Sequence, residues 1–100
     1  MQEWLAIPGP SSQPIGLNVW VERLSQLGHE SVLEKEDSDA FWIEIAALRL
    51  RGFAMMEGVN VDAINFELHD PEPAPAWQLL EAAASSLGWE LTQEDDDDDD

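Results

Sequence analysis

The stretch "AFWIEIAALRLRGFAMMEGVNVDAINFELH", residues 40–69, settles the fold class. Phe41, Ile43 and Ile45 alternate with Trp42 and Glu44, the period-two pattern of a half-buried strand. The phase then slips. Leu48 and Leu50 take the apolar positions, and Arg49 and Arg51 the polar ones. A bulge or tight turn near Ala46-Ala47 accounts for the shift, because one extra residue exchanges the two faces of a strand. "EGVN" (57–60) reads as a turn, after which Ile64, Phe66 and Leu68 resume the alternation. Upstream, "SVLEKED" (31–37) is separated from this stretch by the polar pair Ser38-Asp39. The pattern predicts two hairpins in series, an antiparallel meander.

Helical patterns flank the meander. In "LNVWVERLSQLG" (17–28), Leu17, Trp20, Val21, Leu24 and Leu27 form one apolar stripe. Asn18 is a candidate N-cap, and Gly28 sits where a left-handed residue ends a helix. In "DPEPAPAWQLLEAAASSLG" (70–88), three prolines suit a loop and a first helical turn. Ala76, Leu79, Leu80, Ala83, Ala84 and Leu87 follow as a second stripe, small enough to sit close to a sheet. "QEWLAI" (2–7) and "WELTQ" (89–93) read as short outer strands.

Strand, helix, meander, helix, strand is the order of an α+β two-layer sandwich. The expected architecture is an antiparallel-rich sheet with both helices on one face, in a ferredoxin-like order with an extra hairpin strand. Residues 1–93 are expected to form a single domain and 94–100, "EDDDDDD", a disordered acidic tail.

Charge is the outlying property. There are 22 acids against 4 lysines and arginines, a net of −18. Without the seven acids of residues 94–100 the chain still carries 15 against 4, or −11. The tail exaggerates the imbalance and does not create it. At 44% apolar residues, including five tryptophans, the chain can nevertheless build a core.

These numbers exclude several classes of function. No cysteine is present, which removes disulfides, thiolate metal sites and cysteine nucleophiles. No Lys/Arg stripe exists to displace counterions from phosphates, so direct nucleic-acid binding is not expected. Anionic membrane surfaces are disfavoured for the same reason. No apolar run reaches the ~20 residues that span a bilayer, and no signal peptide is apparent. A cytoplasmic protein is the expectation.

No catalytic motif stands out. The glycines form neither a dinucleotide fingerprint nor a phosphate loop, and no serine has a nucleophile context. His29 and His69 lie 40 residues apart, without metal-site spacing. "EKEDSD" (34–39) lacks the spacing of a calcium loop and reads as an acidic hairpin turn. An enzyme is not expected, nor is a cofactor or a metal.

What remains points to protein surfaces. Trp42 is out of phase with Phe41, Ile43 and Ile45, so it should occupy the sheet face that the helices leave open. Arg49 and Arg51, half of the four lysines and arginines, are expected to project from one face of one strand near it. Their bland role is cross-strand pairing with Glu44 or Glu67; the alternative is a small anion-binding spot. Tryptophan and arginine are enriched at interface hot spots. The candidate interface is therefore Trp42, Arg49 and Arg51 with the acids Glu34, Glu36, Asp37 and Asp39.

The expected function is a non-enzymatic acidic interaction module, of inhibitor, immunity, antitoxin or adaptor type, recognising a basic protein partner. Two alternatives stand beside it. One is a nucleic-acid mimic that blocks a DNA- or RNA-binding protein. The other is an acidic domain with no specific role readable from its sequence. A homodimer through the open face or a sheet edge is compatible with each.

Overall fold

The computed structural model describes residues 2–94. Along the chain run β1 (Gln2–Pro8), α1 (Leu17–Gln26), β2 (Val32–Asp37), β3 (Ala40–Ile45), β4 (Leu50–Glu57), β5 (Asn60–Leu68), α2 (Ala74–Leu87) and β6 (Trp89–Glu94). The fold is α+β, with six antiparallel strands in one sheet in the order β2-β3-β4-β5-β1-β6. The meander supplies four neighbouring strands. β1 then inserts between β5 and β6, tying both ends of the described chain into the sheet. β6 includes Glu94, so it runs one residue into the stretch read as a tail. Residues 95–100, the rest of that expected disordered segment, lie outside the described residues.

The phase slip has a specific cause. A single 3₁₀ turn at Ala46–Leu48 joins β3 to β4, and Arg49 closes it in the left-handed conformation at φ 54° and ψ 41°. Ile45 then pairs with Leu50, and both are buried. Arg49 therefore lies outside β4, and the expectation that it shares a strand with Arg51 is corrected. Leu48 belongs to the turn and packs half-buried against the core.

One face of the sheet carries the core. Trp4 and Ala6 of β1, Ile43 and Ile45 of β3, Leu50 and Ala54 of β4, and Ile64, Phe66 and Leu68 of β5 are buried there. Against them pack Leu17, Trp20 and Leu24 of α1 and the alanine-rich stripe of α2. Trp20 meets Trp89 edge-on, with ring centroids 5.3 Å apart, and Phe66 at 5.9 Å. Trp77 of α2 meets Trp4 edge-on at 5.4 Å. Aromatic pairs of this geometry add to what area burial supplies. Both helices thus cover the same face and leave the other open.

Helix ends follow local chemistry with one correction. Gly28 (φ 97°) ends α1: its N–H reaches the Ser25 carbonyl and that of His29 reaches the Leu24 carbonyl, each at 3.0 Å. Gly88 (φ 77°) ends α2. Asn18, expected as N-cap, is instead the second helical residue, and Gly16 is the cap without a side-chain bond. The Val61 N–H donates to the Ile15 carbonyl at 2.8 Å, which anchors the incoming loop on β5, and the helix starts two residues earlier than an Asn18 cap would give. Asp70 precedes α2 and accepts the Glu72 N–H at 2.8 Å.

Gly52 leaves room for the side chains of its neighbours in β3 and β5. A Cβ there would lie 2.8 Å from Ile43 Cγ2, Ile64 Cγ2 and Phe66 Cδ1. These are buried branched and aromatic groups with little room to yield, so overpacking should cost about 1–3 kcal/mol. Gly52→Ala is accordingly expected to lower the urea midpoint by that amount of stability, read by tryptophan fluorescence, with an unchanged m-value.

Candidate functional site on the open sheet face

Strand register, rather than sequence proximity, assembles the open face. One row across the sheet reads Glu34–Trp42–Phe53–Asn65–Leu5–Thr92. The next row reads Val32–Glu44–Arg51–Glu67–Glu3–Glu94. On the other side of the first row, Met55 faces Ala63, and Ile7 faces Glu90. The result is a half-buried apolar strip, Trp42, Phe53, Leu5 and Ile7, with Met55 more exposed at its border. Glu3, Glu34, Glu36, Glu44, Glu67 and Glu90 rim it.

Trp42 is the best-fixed side chain of this face. Its ring meets Phe53 edge-on with centroids 5.0 Å apart. Its indole Nε1–H donates to Glu36 Oε1 at 3.0 Å. The Arg51 guanidinium lies over the ring, its Cζ 4.1 Å from the centroid. This cation–π contact is worth about 0.5–1 kcal/mol at an exposed site. The contact keeps the guanidinium over the ring rather than on a carboxylate.

The structure thus brings together Trp42, Arg51, Glu34 and Glu36. Arg49 stands at one end of the face, where Glu44, Ala46, Arg49, Arg51 and His69 line a recess of about 280 Å³. Asp37 and Asp39 lie at the opposite end, in the β2–β3 hairpin. There Asp37 accepts the Ser38 N–H, and the Asp39 carbonyl accepts the Met56 N–H. The expected cross-strand ion pairs of the arginines do not form. Glu44 and Glu67 face Arg51 in register, but among the described residues the only ion-pair-type contact is His69 Nε2 to Glu67 Oε1, at 3.7 Å. Arg51 is committed to the ring of Trp42 instead. Lys35 also forms no pair with its acidic neighbours among the described residues.

Sequence reasoning missed Leu5, Ile7, Phe53 and Asn65 as members of this face, together with His69 and the rim acids Glu3 and Glu90. Leu5 and Phe53 look like ordinary strand apolars until the register joins them to Trp42. His69 becomes visible only once the Arg49 carbonyl is seen to accept its N–H at 3.0 Å. The two-residue turn at Gly58-Val59 sets only the pairs next to it, Glu57 with Asn60 and Met56 with Val61. A register shift between Met55 and Met56 then pairs Phe53 with Asn65, and no local sequence signal marks it.

Compared with known proteins, the chain matches no family model, no curated protein sequence and no solved structure.

Arg49 yields a direct test of local strain. A left-handed residue with a Cβ is disfavoured by roughly 1–2 kcal/mol, part of which glycine's greater unfolded-state freedom offsets. Arg49→Gly is expected to leave stability unchanged or raise it by up to ~1 kcal/mol. Arg49→Val should lower it by ~1 kcal/mol or more, since β-branching aggravates the same conformation. Paired denaturation curves for the two variants check the difference.

Proposed function

We propose that the protein is a non-enzymatic interaction module that recognises a basic protein, in the manner of an inhibitor, immunity protein, antitoxin or small adaptor. The observation that carries this reading is the open face itself: an aromatic centre at Trp42 and Phe53 surrounded by six carboxylates. The carboxylates steer a cationic surface toward the face and reject anionic ones. Exposed rim charges add little affinity, so the desolvated apolar strip holds the complex once formed.

A second copy is the less favoured occupant of the same face. Stacking two such surfaces would bring their carboxylate rims together across the interface, with one Arg51 from each side to offset them. The mimic reading has less support for a related reason. Its row of acids is interrupted by Arg51, and the neighbouring row is apolar rather than anionic. The strand order supports reading the scaffold as ferredoxin-like with an extra hairpin strand. No helix among the described residues is long and apolar enough to cross a membrane. A cytoplasmic location belongs to this proposal.

The test begins with the full chain as bait in native lysate at low salt, followed by binding kinetics on the basic protein recovered. Raising salt from about 50 to 300 mM is expected to slow association roughly tenfold or more, with little change in dissociation. Trp42→Ala should do the reverse, speeding dissociation roughly 30-fold, as for a 2 kcal/mol hot spot, with association nearly intact. Salt-independent association, or an unchanged dissociation rate for Trp42→Ala, would refute the proposal.

A further inference from the structure

Arg49, Arg51 and His69 are three of the six lysine, arginine and histidine side chains in the whole sequence, and they line a single recess. On a chain of net charge −18 the ordinary outcome for an arginine is a carboxylate partner. Neither guanidinium has one among the described residues, although Glu44 and Glu67 flank Arg51 in register. Arg51 is half-buried, so part of its hydration is already lost, whereas Arg49 is exposed at the rim of the recess. Arg51 lies over the Trp42 ring, with its Cζ 4.1 Å from the centroid, and also lines the recess.

Arg49 is held by the backbone. Its N–H donates to the Ala46 carbonyl at 3.1 Å, and its carbonyl accepts the His69 N–H at 3.0 Å. It is the one non-glycine residue at positive φ among the described residues, a position glycine would fill with less strain. Strain retained at a residue bearing a charged fork is a reason to look for what the fork binds.

We propose that this recess is an oxyanion-binding notch that takes a carboxylate or phosphate group. The planar guanidinium forks suit either group, and the His69 imidazole adds a further N–H donor. Glu67 sits beside the imidazole and Glu44 lines the recess, so the notch has little net charge to spare. The surrounding carboxylates repel polyanions arriving from solution, so the notch takes one or two oxyanion groups that are small or are held close by a tether.

Two sources can supply that chemistry, a separate small anion or the protein's own carboxylates. Glu94 pairs with Glu3, three strands from Arg51 in the same row, a distance of about 14 Å at the usual strand spacing. Asp95–Asp100 can span at most about 20 Å, which covers that separation. Tethering raises the local carboxylate concentration to roughly millimolar or above, which favours the chain's own aspartates over free anions. This proposal does not depend on the basic-partner reading.

The experiment is NMR of the full chain, observing backbone and arginine side-chain N–H signals. Inorganic phosphate is titrated against sodium chloride of matched ionic strength. A full-length variant carrying Asp→Asn at all six positions from Asp95 to Asp100 is titrated in parallel. If the aspartates fill the notch, the Arg49 and Arg51 signals differ between the two chains before any phosphate is added. The variant then binds phosphate several-fold more tightly than the parent chain. If a separate anion is the ligand, both chains show saturable shifts at Arg49, Arg51 and His69 with the same dissociation constant.

In either case Arg49→Gly, which relieves the backbone, abolishes the response while the rest of the spectrum stays native. Arg51→Lys weakens it roughly tenfold, because the fork becomes a point charge. The proposal is overturned if phosphate moves these signals no more than chloride and they are alike in the two chains. Saturable shifts that survive both Arg49→Gly and Arg51→Lys would overturn it equally.

Discussion

The left-handed turn between β3 and β4 sets which residues of β4 face the core. Ala46–Leu48 and Arg49 reverse the chain so that Ile45 pairs with Leu50 and both point into the core. That single choice puts Ile43, Gly52 and Ala54 under the helices and puts Trp42, Arg51 and Phe53 on the opposite face. A one-residue change in the turn would exchange the two sets. Buried positions of β4 would then receive Arg51 and exposed ones Leu50. The hydrogen bonds that Arg49 makes to Ala46 and His69 hold the alternative off.

The core explains why this register tolerates so high a charge. Among the described residues no buried side chain is charged, and every carboxylate remains at or near solvent. Self-repulsion among the acids is therefore softened by water and salt rather than locked into the interior. The buried contacts are short-ranged and aromatic: Trp20 between Phe66 and Trp89, and Trp4 against Trp77. Three strand–helix contacts are made by four tryptophans, one of which, Trp89, begins the strand that pairs with β1 at the edge of the sheet. Fold and field are thus separable. The core sets the shape, and the acids set what may approach it.

Much of the fold was legible because it follows from local periodicity. The alternation in 40–45 and 61–68 gave strands, the stripe from Leu17 to Leu27 gave a helix, and Gly28 and Gly88 ended helices where expected. Asn18 failed as a cap because a tertiary contact, Val61 to Ile15, set the helix start. Trp42 was placed on the open face by parity alone, and it lies there. The partners of Trp42 were less accessible. Arg51 could be guessed from its nearness, but Phe53 required the β3–β4 register, and Leu5 required knowing that β1 lies beside β5.

By itself the sequence determined an α+β fold with an anionic body, since hydrophobic period and net charge depend only on composition and order. The tertiary structure decided which residues share a surface. Arg49, Arg51 and His69 line one recess, and six separated glutamates border the apolar strip that runs across the sheet from Trp42 to Ile7. Such groupings arise from hydrogen-bond register between strands distant in sequence, and register is a property of the paired chain. No segment carries it alone.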